Sequence, residues 1–192
     1  MEKEYLSSSA SNEISKAKIL KLLQPDTWLC DQMINFCLEN FKFGDTNIKD
    51  TFYFNELTSL NERLSAPKWS EIMQSTVKLA IPVNLDKHWS LIVLRNRNDC
   101  LLIEFWDSLP TQQRIDKTKK LLLASYKNYS CAKKRISFTY KPDCYIQIDS
   151  NNCGTFLIAN IISLISSKQT CNIEPLEARK AVALLILHLC NI

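Results

Sequence analysis

The chain has no apolar run long enough to cross a bilayer. Its longest, Ala181 to Leu187, with His188 before Leu189 and Cys190, falls well short of the ~20 residues a spanning helix needs and reads as a buried helix. There is no block of like charge either. A formal net charge of +4 with acidic residues interspersed gives no signal for a nucleic-acid or membrane-surface partner, and neither is expected. The opening Met1-Glu2-Lys3-Glu4 has no apolar h-region and no Met-Gly acylation start. The expectation is therefore an intracellular protein, cytoplasmic or nuclear, or one delivered into a host cell if its source is microbial. Metal-ligand spacing is missing: the chain has two histidines, and none of its eight cysteines, at positions 30, 37, 100, 131, 144, 153, 171 and 190, forms a Cys-x-x-Cys pair. No metal and no cofactor are expected, and most of the cysteines read as free, buried thiols. No repeat or low-complexity linker interrupts the sequence.

What is present has the texture of an ordinary folded domain. Apolar residues make up 46% and charged residues 23% of the 192 residues, close to average globular usage. Residues 1–13 are polar and read as a flexible segment, and residues 14–192 read as a single domain, expected to be monomeric. An amphipathic helix is allowed from Ile14 to Leu23. Pro25-Asp26-Thr27 signals a turn and a helix start, after which Leu29, Met33, Phe36, Cys37 and Phe41 recur at helical spacing. Phe52-Tyr53-Phe54 reads as a short extended piece before a helix, and Ser70 to Val77 as a turn or helix. Three β runs follow, Leu79–Leu85, Trp89–Leu94 and Leu101–Trp106. Thr111–Tyr126 then predicts a helix, Arg135–Tyr140 a strand, and helices begin at Cys153 and near Pro175. The pattern is that of an α+β domain, a sheet flanked by helices.

Arg95-Asn96-Arg97-Asn98-Asp99 lies between two β runs and reads as a hairpin turn. With Arg97-Asn98 as the turn pair, Leu94 faces Leu101, Ile92 faces Ile103, Ser90 faces Phe105 and His88 faces Asp107. That register puts an imidazole and a carboxylate on one sheet face, ~4.5–5.5 Å apart at Cβ, where the carboxylate can orient the ring.

Gln147-Ile148-Asp149-Ser150-Asn151-Asn152 is largely polar, and apolar residues at Phe156, Leu157, Ile158, Ile161, Ile162 and Ile165 follow at helical spacing. Cys153 thus stands at a helix N-terminus. Unpaired amides and the helix dipole favour a thiolate there, and a neighbouring imidazolium favours it further. Gly154 would let another chain approach the nucleophile closely. Gln147 is placed to donate, with the Cys153 amide, to an oxyanion.

His88-Trp89, Asp107-Ser108, Gln147 and Cys153-Gly154, in that order, resemble the Ulp/sentrin-specific protease family. The six-residue spacing from Gln147 to Cys153 and the Phe105-Trp106-Asp107-Ser108 element agree with it. Thr27-Trp28-Leu29-Cys30-Asp31-Gln32 also resembles the family's Trp-Leu-Asn-Asp helix start. The resemblance implies a papain-like fold with a central mixed sheet. It also implies a thiol protease with His88, Asp107, Gln147 and Cys153 as its catalytic set, and substrate-binding roles for Trp28, Asp31 and Trp89. The partners implied are a ubiquitin-like modifier, of SUMO, NEDD or ubiquitin type, and its protein conjugates; the compact form is most like the deneddylase branch. By position Trp28 and Trp89 would roof a tunnel for a Gly-Gly tail, although Trp28 also fits a buried helix-start aromatic and Asp31 an N-terminal helix charge. The chain departs from the family at Cys30, where Asn is usual, at Asn152, where Asp is usual, and in having no Gly before His88. Two other readings share the pattern: an acetyltransferase of the related bacterial effector fold, carrying acetyl on the thiol, and an inactive modifier-binding module.

Overall fold

Continuous apolar strands need helices on both faces, and that is how the β runs are covered. The computed structural model describes residues 19–21, 23–24, 27–39, 45–129, 134–166 and 173–190. The polar segment 1–13, most of the helix expected over 14–23, the Pro25-Asp26 turn, Phe41, Cys131 and Cys171 lie outside the described residues. Strands β1 (Thr46–Ile48), β2 (Lys78–Leu85), β3 (His88–Asn96), β4 (Cys100–Trp106) and β5 (Arg135–Tyr140) form one sheet in that order. The pairs β2–β3 and β3–β4 are antiparallel, whereas β1 and β5 run parallel to their neighbours. The sheet is therefore mixed, as expected.

Alternate residues of β3 face opposite layers, as the two-residue strand period requires. Trp89, Leu91 and Val93 pack with α1 (Asp31–Glu39), α5 (Cys153–Ser166) and α6 (Pro175–Cys190). Ile92 and Leu94 pack against the other layer: α2 (Tyr53–Leu57), α3 (Glu62–Gln74) and α4 (Gln112–Asn128). In that layer Trp69 of α3 is fully buried, donates from Nε1 to Ser125 Oγ at 2.9 Å and meets Tyr126 edge-on.

Four details differ from the sequence expectations. Phe52 is the exposed N-cap of α2, with Tyr53 and Phe54 already helical, and the extended piece is the earlier β1. Ser70 to Gln74 is the second half of a helix that Asn61 caps by accepting the Arg63 amide and that contains Pro67. Leu29 precedes α1 and is buried beside it. The β3–β4 hairpin is wider than proposed: Asn96 pairs with Leu101 and Leu91 with Trp106, and the Arg97 amide closes the turn onto Cys100 O at 2.9 Å. The pairing slips by two residues, which leaves every side chain on its expected face. Extended along this register, Asp107 falls opposite Ser90, diagonal to His88. The β2–β3 turn is the tight one, with Asp86 at φ 56° and Lys87 at φ 61° between the paired Leu85 and His88. Positive φ at both central residues marks a two-residue hairpin of the right-twisting kind.

Candidate active site

Segments far apart in sequence meet where β3 begins and β4 ends. His88 opens β3, Asp107 follows the last residue of β4, and Cys153 opens α5; all three are buried. His88 Nε2 lies 2.6 Å from Asp107 Oδ1, a diagonal contact within reach of the long imidazole. The Cys153 thiol interacts with the same ring and helps raise its pKa, so the imidazole stands between thiol and carboxylate. Burial alone would push the imidazole pKa down, but the interactions with Asp107 and Cys153 outweigh it and hold His88 above the ordinary histidine range.

Asp107, fully buried, is held from both sides. Its Oδ1 also accepts the Leu109 amide at 2.9 Å, and its Oδ2 accepts Arg114 Nη1 at 3.0 Å. Arg114 was not among the sequence candidates. It stands in the first turn of α4, where Thr111 accepts its backbone amide, and it donates to Leu109 O as well, at 2.9 Å. A cation in the first turn works against the helix dipole, so its type at that position was the signal that could have identified it.

Gln147 is buried and bound on three sides. Its amide donates to Ser108 O at 2.9 Å, its Oε1 accepts from Ser108 Oγ at 2.7 Å, and its Nε2 donates to Asp149 O at 2.6 Å. The Asp107-Ser108 dipeptide thereby joins the His88 partner to Gln147. Asp149 Oδ1 accepts the Asn151 and Asn152 amides at 2.9 and 3.0 Å, and its Oδ2 accepts Asn152 Nδ2 at 2.8 Å. Asn152 Oδ1 in turn accepts from the buried Arg179 Nε, whose Nη2 donates to Thr27 O. Asp149 and Arg179, like Arg114, were not singled out in the sequence, and no local motif marks them.

The two tryptophans take different positions. Trp89 is buried and donates to Leu29 O at 2.8 Å, whereas Trp28 is 47% exposed and donates to Asn151 Oδ1 at 3.0 Å, which ties it to the nucleophile loop. The exposure is at odds with a buried helix-start aromatic. Asp31 is half-buried and is the first residue of α1. A Cβ added to Gly154 would come within 2.9 Å of Leu29 Cβ, 3.1 Å of Ile34 Cδ1 and 3.3 Å of Trp89 Cδ1. What Gly154 admits is thus the packing of the chain's own α1 approach and Trp89 onto α5. Cys144, also buried, donates to Asp107 O at 3.4 Å, and burial pushes its thiol pKa up. Burial likewise pushes the neighbouring Tyr140 up to about 12.

A thiol beside an imidazole, the imidazole bonded to a buried carboxylate, and an amide donor nearby form the set that acyl transfer requires. The profile of the Ulp1 protease family, C-terminal catalytic domain, matches residues 27–181. The chain belongs to this family. It is a cysteine peptidase of the kind that acts on SUMO or other ubiquitin-like modifiers, and the expected α+β fold is the one found. The yeast C-terminal Ulp1 protease domain, solved in complex with Smt3, the yeast ortholog of SUMO, is 18% identical with a TM-score of 0.63, over 88% of this chain and 80% of that one. The Xanthomonas campestris effector XopD, solved bound to ubiquitin, is 16% identical with a TM-score of 0.61, over 82% of this chain and 91% of that one. A Chaetomium thermophilum Ulp1-like SUMO protease catalytic domain is 18% identical with a TM-score of 0.57, over 86% of this chain and 75% of that one. At these identities the likeness is one of fold. No curated protein matches the chain. None of the described helices is long and apolar enough to cross a membrane.

The family departures fall around the site. Cys30 is an exposed free thiol, Asn152 is buried between Asp149 and Arg179, and Lys87 takes a positive φ directly before His88.

Proposed function

We propose that this chain cuts after the C-terminal Gly-Gly of a ubiquitin-like modifier, maturing it or releasing it from protein conjugates. The position of His88 between Asp107 and Cys153, with Cys153 at the start of a helix, carries the reading. In the first step His88 takes the Cys153 proton and the sulfur attacks the carbonyl carbon of the terminal glycine. The oxyanion is met by the Cys153 amide and by Gln147 Nε2, whose second N–H is not used by Asp149 O. As the C–N bond breaks, His88 returns the proton to the departing amine and a thioester remains. Water, deprotonated by His88, then hydrolyses the thioester, and Asp107 orients the ring throughout.

Trp89 and the exposed Trp28 flank the nucleophile segment and supply flat walls for a tail without side chains; Asp31, the first residue of α1, is assigned the tail backbone. SUMO is the first choice of modifier, supported by the company of SUMO proteases among similar folds, and a NEDD-type modifier is the second. Vinyl sulfone probes of SUMO, the NEDD-type modifier and ubiquitin should be compared on the native chain and on Cys153→Ala. Labelling is expected with SUMO or the NEDD-type probe and is expected to vanish in the variant. A chain unlabelled by all three probes would refute the proposal, and labelling by ubiquitin alone would refute the choice of modifier.

A further inference from the structure

We infer that Asp149 positions both oxyanion donors, and that an Asp149–Asn152 carboxylate–amide pair fixes it in place; the inference rests on the acyl-transfer reading of Cys153 given above. Gln147 and Cys153 are separated by a loop with no helix or strand of its own. Two donors on such a loop would move independently and would reorganise during each reaction, which forfeits most of the value of a preorganised site. Asp149 ties the loop at both ends. Its carbonyl holds Gln147 Nε2 at 2.6 Å, and its carboxylate gathers the Asn151 amide, the Asn152 amide and Asn152 Nδ2 within 2.8–3.0 Å. With Gln147 Oε1 fixed on Ser108 Oγ, the bond to Asp149 O dictates where the remaining Nε2 hydrogen points. The backbone held by the carboxylate leads directly into Cys153.

The polarity of the chain of bonds runs one way. Arg179 Nε donates to Asn152 Oδ1, so Asn152 can offer only its Nδ2, and its partner must be an acceptor. Asp149 is that acceptor. The carboxylate the family resemblance leads one to expect at 152 therefore stands at 149, with Asn152 relaying between it and the guanidinium. Asp149→Asn sets two NH2 groups against each other. Exchanging both residues, Asp149→Asn with Asn152→Asp, restores a donor facing an acceptor and places the carboxylate beside Arg179.

The test uses the full chain and two readouts. Turnover is followed on C-terminal aminocoumarin amides of SUMO, the NEDD-type modifier and ubiquitin. Iodoacetamide alkylation of Cys153, followed on its peptide by mass, reports the nucleophile without any oxyanion. Asp149→Asn is expected to lower kcat about 30-fold or more, with KM changed less than about threefold and alkylation less than about twofold, and the double exchange should recover at least about tenfold of kcat. Unchanged kcat in Asp149→Asn, no recovery in the double variant, or alkylation falling in step with kcat would each overturn the inference. If Asp149→Asn does not fold, the double variant decides: kcat within about threefold of the unaltered chain supports the pairing, and an approximately 30-fold loss overturns it. Absence of turnover by the unaltered chain on all three amides overturns the protease reading itself, and this inference with it.

Discussion

Asp107 faces two cations of different kinds, one permanent and one titrating. The Arg114 guanidinium on Oδ2 partly neutralises the carboxylate that His88 feels on Oδ1. Removing that cation leaves Asp107 more strongly negative toward the ring, so the imidazolium becomes easier to keep. In Arg114→Gln the His88 pKa, already above the usual range, should rise further, while Arg114→Lys should stay near the unaltered chain. The chain has only two histidines, so an NMR titration of the ring signals can follow His88 directly, and an unmoved titration in Arg114→Gln would dismiss the coupling. Side chains that recruit partners by reaching back from another element, as Arg114 and Arg179 do, leave little trace in a sequence. That His88 and Asp107 meet, with Cys153 at a helix start, was legible because such residue types at the ends of strands and helices follow from the apolar pattern around them.

At the scale of elements, legibility followed the apolar runs and failed at punctuation. The strands from Lys78 to Trp106 and the helix starting at Cys153 were readable because their apolar runs are dense, bounded by polar breaks, and of strand or helix length. The first half of α3 was missed because Pro67 interrupts the helical texture, although Asn61 caps the helix a turn and a half earlier. The β3–β4 turn was read as a two-residue loop, and four residues separate the Asn96–Leu101 pair; the slip was an even one, so the faces survived it. At Gly154, α5 packs tightly on Leu29, on Ile34 of α1 and on Trp89 of β3. Gly154→Ala would drive a methyl to within 2.9 Å of Leu29 Cβ, an overpacking expected to cost about 1–3 kcal/mol. Thermal unfolding should show the midpoint lower by about 2–4 °C per kcal/mol, and an unchanged midpoint would show that this junction is looser than described.

Across the whole molecule, stability should depend on pH from two directions. His88 has a raised pKa in the folded state, so its contribution is fully present below the ordinary histidine value of about 6.5 and is lost as pH rises through the folded value. Glu71 behaves oppositely. Although burial opposes it, hydrogen bonds from Lys49 and Tyr53 hold its carboxyl below the usual range, so its contribution is present above the ordinary carboxylate pKa and disappears as pH falls through the lowered value. Urea midpoints measured between about pH 6 and 8 should decline toward the alkaline side, and His88→Asn should flatten that decline; an identical slope in the variant would remove His88 as its source. The arrangement of the site across the chain also bears on synthesis. His88 and Asp107 belong to neighbouring antiparallel strands that can pair as soon as residues 78–107 have emerged, since short-range hairpins close early. The sulfur arrives some 46 residues after Asp107, and α5 and α6 must still pack before Trp89 and Gly154 close together. During synthesis the imidazole and its carboxylate partner thus meet before any thiol has been made beside them, and the order of the chain itself keeps the three groups apart until Cys153 emerges and α5 packs onto β3.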